Sequence, residues 1–128
     1  MKFVVAYLPP QQLERTVTAL VRIHVRGLTI SNARGFGQEH DQWRPEDHEY
    51  LATEMERQTR VEVACHDREL DAILDTICRA ANLDQPGACG RGKGKIFVFP
   101  LTEVIRLKTG ERGEHALGSP PPPTDLTD

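Results

Sequence analysis

Residues 87–111, GACGRGKGKIFVFPLTEVIRLKTGE, place five cations (Arg91, Lys93, Lys95, Arg106 and Lys108) near one another, with Glu103 the only acid before Glu111. Cations beside alternating glycines are the material of an anion site. Successive glycines let backbone N–H groups converge as a nest, and a nearby lysine or arginine neutralises what the nest holds. Gly90, Gly92 and Gly94 can supply the nest, with Lys93 and Lys95 at its rim. In an extended strand Arg106 and Lys108 share one face while Ile105 and Leu107 take the other. A loop of donors beside a two-cation strand suits a di- or triphosphate; a solvated hairpin with flexible turns would use the same residues.

Gly87-x-x-x-x-Gly92-Lys93 matches the first seven positions of a P-loop, but Gly94 stands where the Mg-binding Ser or Thr belongs. The order also disagrees, because a P-loop runs from strand into helix and sets its phosphates on the helix N-terminus, whereas this loop runs from a predicted helix into a strand. His40, Asp41, Asp47 and His48 lack metal-ligand spacing, and no nucleophile–base arrangement is visible, so neither a metal nor a catalytic residue is assigned.

The chain has 128 residues, 38% hydrophobic and 27% charged, which fits one domain with a small core. A net charge of −3 offers no global field for a nucleic-acid backbone, so the positive stretch is local. Cys65, Cys78 and Cys89 form no CxxC and leave an odd thiol. That pattern reads as packing residues in a reducing compartment, without a disulfide framework. The opening MKFVVAYLPP is too short an apolar run for a signal peptide, no segment is long enough to insert into a membrane, and the expected location is the cytoplasm.

These cations need elements to position them. Residues 3–8 (FVVAYL), ended by Pro9 and Pro10, read as a buried strand; Leu13, Val17, Leu20 and Val21 recur at helical spacing. LTISNARGF reads as a second strand and RVEVAC as a third, alternating Val61, Val63 and Cys65 on one face. Asp67 is placed to cap a second helix whose stripe is Leu70, Ile73, Leu74, Ile77 and Ala81. KIFVF and then a short VIRLK follow as strands. The order β-α-β-β-α-β predicts an α+β, ferredoxin-like sandwich with two helices on one face of an antiparallel sheet. Between the two central strands lies a long polar segment with seven acids in residues 38–56 against one base, Arg44. Connections of that length are usually functional.

Two stretches resemble the PII signal-transduction family. GKGKIFVFPLTEVIRLKTGE is similar to its G-D-G-K-I-F-V signature followed by V-I-R-I-R-T-G-E, and RGLTISNARGFGQ is similar to its G-x-T-V-x-x-V-x-G-F-G-R-Q. The resemblance covers residues 1 to about 115. It implies a domain over 1–112, with a T-loop at about 37–58 and a glycine-rich loop at about 83–94, followed by a proline-rich disordered tail over 113–128. It further implies a homotrimer that binds ADP, ATP or AMP in clefts between subunits. Thr29 and the strand around Val63 and Ala64 would meet adenine, and Gly35, Phe36 and Gly37 would line the cleft. Gly92, Lys93, Gly94 and Lys95 would hold phosphates from one subunit, and Arg106 and Lys108 would complete the site.

On this resemblance the protein is a regulator and not an enzyme. Its T-loop would contact a target transporter or enzyme in nitrogen or inorganic-carbon metabolism, because nucleotides that touch the loop differently select different loop conformers. Tyr50 matches a tyrosine that some members have uridylylated, although a plain interface aromatic fits it as well, and Trp43 suits either an aromatic anchor for a partner or packing against the loop's own base. The departures bear on the effector. Lys93 replaces the family's Asp, the loop before it is longer, and the pair that supports 2-oxoglutarate binding aligns with Gln38 or Glu39 and with Gln58 or Arg57. That tilts the expectation toward a divergent branch resembling the bicarbonate-responsive, carboxysome- and transporter-associated PII-like proteins. A small nucleotide-hydrolysing enzyme is the remaining alternative.

Overall fold

The computed structural model of the chain describes residues 1–36, 55–81 and 94–118. Its elements are β1 (Lys2–Leu8), α1 (Leu13–Arg22), β2 (Thr29–Gly35), β3 (Glu56–Cys65), α2 (Leu70–Ala81) and β4 (Lys95–Pro100). The sheet is antiparallel with strand order β2-β3-β1-β4. This is the ferredoxin-like arrangement expected from the element order.

One face of the sheet carries the core. Val4, Ala6 and Leu8 of β1 and Val61, Val63 and Cys65 of β3 alternate toward Leu20 of α1 and Ile73 and Ile77 of α2. The period of two on the strands meets the helical stripes. Each valine, leucine or isoleucine among them, once buried, contributes about 1.5–3 kcal/mol. Among the described residues the opposite face has no helix. It carries Tyr7 and Phe97 edge to face with centroids 6.1 Å apart, and Arg60, whose guanidinium lies over the Tyr7 ring and donates to its hydroxyl at 2.8 Å.

Four expectations are corrected. VIRLK does not form a strand: beyond Pro100 the chain makes a tight hairpin with a single bridge between Ile105 and Arg112. Gly110, at φ +76°, turns the chain so that Arg106 donates its amide to the Glu111 carbonyl and accepts from the Gly110 amide. A continuing strand would need that segment extended. Second, residues 113–118 do not belong to a disordered tail, because Gly113–Leu117 form a 3-10 helix that packs Ala116 to 7% exposure. Residues 119–128 lie outside the described residues.

Third, the cap of the second helical segment is His66, whose amide donates to Glu69 Oε1 at 3.1 Å. Asp67 instead accepts from the N-terminal amine at 2.9 Å, and this hydrogen bond and charge hold its carboxyl below the usual range. Fourth, the cysteines differ in kind. Cys65 is a buried free thiol as expected of a packing residue, whereas half-buried Cys78 is disulfide-bonded. At the loop, β3 begins at Glu56, so the connection between the central strands is shorter than 37–58 and Arg57 and Gln58 belong to its stem.

Candidate functional site

The described site residues fall at separate places on the sheet. Thr29 opens β2, Val63 and Ala64 close β3, and Arg106 follows β4; these four line one cavity of about 420 Å³. Val63 points into the core at 2% exposure, so its backbone and the half-buried Ala64 face the cavity. Glu62 and Arg26 also line it. Sequence reasoning passed over both: Arg26 lies just before the second strand, and Glu62 is the outward member of an alternating strand, a position that reads as simple solvation.

Gly35 and Phe36 end β2, whereas Gly94 and Lys95 begin β4 on the opposite edge of the sheet, where Lys95 is level with Ser31 through Tyr7 and Arg60. Gly94 adopts φ +107° and passes so close to β1 that an added Cβ would lie 2.1 Å from the Tyr7 carbonyl oxygen. Its lack of a side chain is therefore required by the strand pairing, whatever anion the loop before it holds. Lys95, opposite Tyr7, is exposed on the helix-free face. An added Cβ at Gly35 would lie 3.0 Å from Gln58 Oε1, which sets Gln58 on the Gly35 side of the stem. Arg57, one residue earlier, points to the helix side with Thr59. The neutral amide, and not the guanidinium, accompanies Gly35.

A strand of seven residues separates Thr29 from Gly35 by about 20 Å. Thr29 of β2 and Lys95 of β4 lie on the two edge strands with β3 and β1 between them, and a contact between copies is one way to join groups so placed. The helix-free face and β4 edge offer apolar surface for such a contact: Phe97, Val98 and Phe99 are 45%, 40% and 49% exposed.

Arg106 differs from expectation. In the hairpin it does not stand parallel to Lys108, which is exposed in the 107–109 turn and lines no described cavity with it. Arg106 Nη2 donates to the Ala116 carbonyl at 3.1 Å and Nη1 lies 3.8 Å from Glu111. It separates the first cavity from a second of about 650 Å³, bordered by His66, Asp67 and His115. Gly37, Tyr50, Gly92 and Lys93 lie outside the described residues. Among the described residues no group of His, Cys, Asp and Glu is arranged to hold a metal, and no helix is long and apolar enough to cross a membrane.

Comparison with known proteins bears on the fold and the family. The family model described as nitrogen regulatory protein P-II matches residues 1–111. The chain is 33% identical over 117 residues to the nitrogen regulatory protein P-II of Nostoc punctiforme, covering 91% of this chain and all of that protein. It is 32% identical over 120 residues to nitrogen regulatory protein P-II 2 of Methanothermobacter thermautotrophicus, covering 91% and 97%. The solved structure of Arabidopsis thaliana PII bound to citrate superposes with a TM-score of 0.68 at 30% identity over 90% of each chain. The chain therefore belongs to the nitrogen regulatory protein P-II family of signal transducers.

Proposed function

We propose that the protein is a homotrimeric regulator that takes an adenine nucleotide, ADP, ATP or AMP, in each of three clefts between subunits and signals through the loop that joins β2 to β3. The observation that carries this reading is the split site. Thr29, Ala64 and Arg106 border one cavity, while Gly94 and Lys95 begin β4 on the sheet edge opposite β2 and outside that cavity's lining, so a cleft between copies is the arrangement that would bring them onto one ligand. Thr29 and the Ala64 backbone suit the edge of a base, and Arg106 with Lys95 suits phosphates, since guanidinium and ammonium groups make strong charge-assisted bonds to phosphoryl oxygens. Gly92 and Lys93 of the glycine-rich loop, and Lys108, add donors to the same phosphate chain. Gly37 carries the cleft into the T-loop, which contacts a target transporter or enzyme in the cytoplasm, and Tyr50 within it is the candidate modification site.

The second effector is bicarbonate in preference to 2-oxoglutarate. This follows the resemblance, in which a neutral amide, Gln58, stands beside Gly35; Arg34 and Arg57 line the same cavity as Gln58 and supply cations for a small anion. Isothermal titration with ADP, ATP and AMP, each with and without 2-oxoglutarate or bicarbonate, tests both levels. Nucleotide binding strengthened by bicarbonate is expected. Enhancement by 2-oxoglutarate instead would return the protein to nitrogen sensing, and turnover of the nucleotide that is lost in Lys95→Ala would favour an enzyme. Arg106→Ala is expected to weaken ADP binding at least tenfold, with the trimer intact by light scattering; a lost bond to a charged group is worth about 1.5–3 kcal/mol. Unchanged affinity would mean the wrong cleft.

A further inference from the structure

Three side chains from three separate elements hold three consecutive carbonyls near the end of the described chain. Arg106 Nη2 donates to Ala116 O at 3.1 Å, Arg26 Nε to Leu117 O at 2.7 Å, and His66 Nε2 lies 3.0 Å from Gly118 O. A carbonyl only accepts, so Nε2 is the proton-bearing nitrogen of His66. Arg26 is itself braced by Glu69 Oε1 at 3.1 Å, the same oxygen that accepts from the His66 amide. The 3-10 helix Gly113–Leu117 is thereby strapped across the mouth of the cavity that contains Thr29 and Ala64, with Ala116 and Leu117 as part of its wall.

We infer that residues 113–118 form a nucleotide-released strap, held over the base-binding half of the cleft by Arg106, Arg26 and His66. This rests on the nucleotide reading above. Arg106 is common to both states: it holds Ala116 in this one and a phosphate in the other. A phosphoryl oxygen carries charge and a peptide carbonyl does not, so phosphate takes the guanidinium when both compete. Glu111, 3.8 Å from Arg106 Nη1, adds to the exchange, because its carboxylate repels an arriving phosphate and must swing out with the hairpin that carries it. Loss of the Ala116 bond leaves the strap on two carbonyls. Gly118 then marks the weak point: it sits at φ +81°, ψ 172°, a region open to glycine, with an added Cβ 3.3 Å from Arg26 Cδ. The closed strap reduces the fraction of binding-competent protein and so lowers apparent affinity.

Hydrogen–deuterium exchange across peptides covering 113–118, with ADP titrated calorimetrically on the same full-length protein, tests the strap. Binding accompanied by faster exchange in 113–118 is expected. Binding with unchanged or slower exchange overturns the strap and leaves the nucleotide reading standing; absence of binding overturns both. Gly118→Ala gives a second arm, since its Cβ strains the strap at Arg26 and reaches the Arg106 guanidinium only at 4.0 Å, while leaving Thr29 and Ala64 untouched. It should speed exchange in 113–118 without ligand and tighten ADP binding about threefold. Unchanged exchange or unchanged affinity in that variant overturns the proposal.

Discussion

Gly94 shows how one residue serves the fold at a position that its neighbours make look purely functional. A Cβ there would meet the Tyr7 carbonyl oxygen at 2.1 Å, and the backbone sits at φ +107°. Gly94→Ala is therefore expected to destabilise the protein by about 2 kcal/mol or more, because an L side chain is strained in that region and β4 must shift from β1. Chemical denaturation would show it, and a neutral outcome would mean that the start of β4 is free to move. Cys65 makes the opposite case, a reactive type rendered inert. Burial, and then the charge of Glu69, push its thiol up, and its side chain is 2% exposed. At pH 8 it should resist thiol reagents in the native protein and react only as the protein unfolds. Rapid native alkylation of Cys65, mapped by mass spectrometry, would contradict its place in the core. Both roles were partly legible in the sequence: alternation put Cys65 inward, but no local pattern reveals that Gly94 faces a carbonyl from β1.

At the scale of elements, the segment after β4 departs most from expectation. Alternating VIRLK has strand composition, yet the chain folds back on itself and Glu103 stitches the return. Its Oε1 accepts from the Val104 amide at 3.1 Å and the Gly113 amide at 2.9 Å, and its Oε2 from Arg112 at 3.0 Å. The backbone bond from Val104, opposed slightly by desolvation and helped by Arg112, holds the carboxyl below the usual carboxylate range. A depressed folded pKa means the contribution is complete above the unfolded value and is lost as pH falls through the folded one. The hairpin should thus stay closed through mildly acid solution and loosen only below the usual carboxylate range. An NMR titration of the Gly113 amide would follow it, and Glu103→Gln should expose that amide to exchange already at neutral pH. Loosening of the wild type near pH 6 would point to a histidine instead.

At the scale of the whole molecule, the proposed cleft draws on residues that one protomer keeps on opposite edges of its sheet, and β4 leaves Phe97 and Phe99 about half exposed. If clefts form between subunits, a protein with Arg106→Ala and one with Lys95→Ala should each bind ADP poorly. Trimers reassembled from an equal mixture should regain tight binding in about a quarter of the clefts, those that draw both intact halves from different subunits. Recovery of none would place both residues in one cleft half, or outside the cleft.

The sequence by itself determined the element order, the inward faces of β1, β3 and both helices, the long acidic connection and the family. Each of these is written in local periodicity, turn residues or contiguous motif, where a side chain's role depends on its near neighbours in the chain. Only the tertiary structure decided that His66 and not Asp67 caps the second helical segment, that Cys78 is bonded, and that Arg106 reaches forward to Ala116. It also decided that Gln58 and not Arg57 stands beside Gly35. These outcomes turn on which groups converge from distant segments: the N-terminal amine reaches Asp67 across 66 positions, and Arg26 reaches Leu117 across 91. A contact between such residues depends on how strands register and where a hairpin turns, and no window of neighbouring residues contains that information.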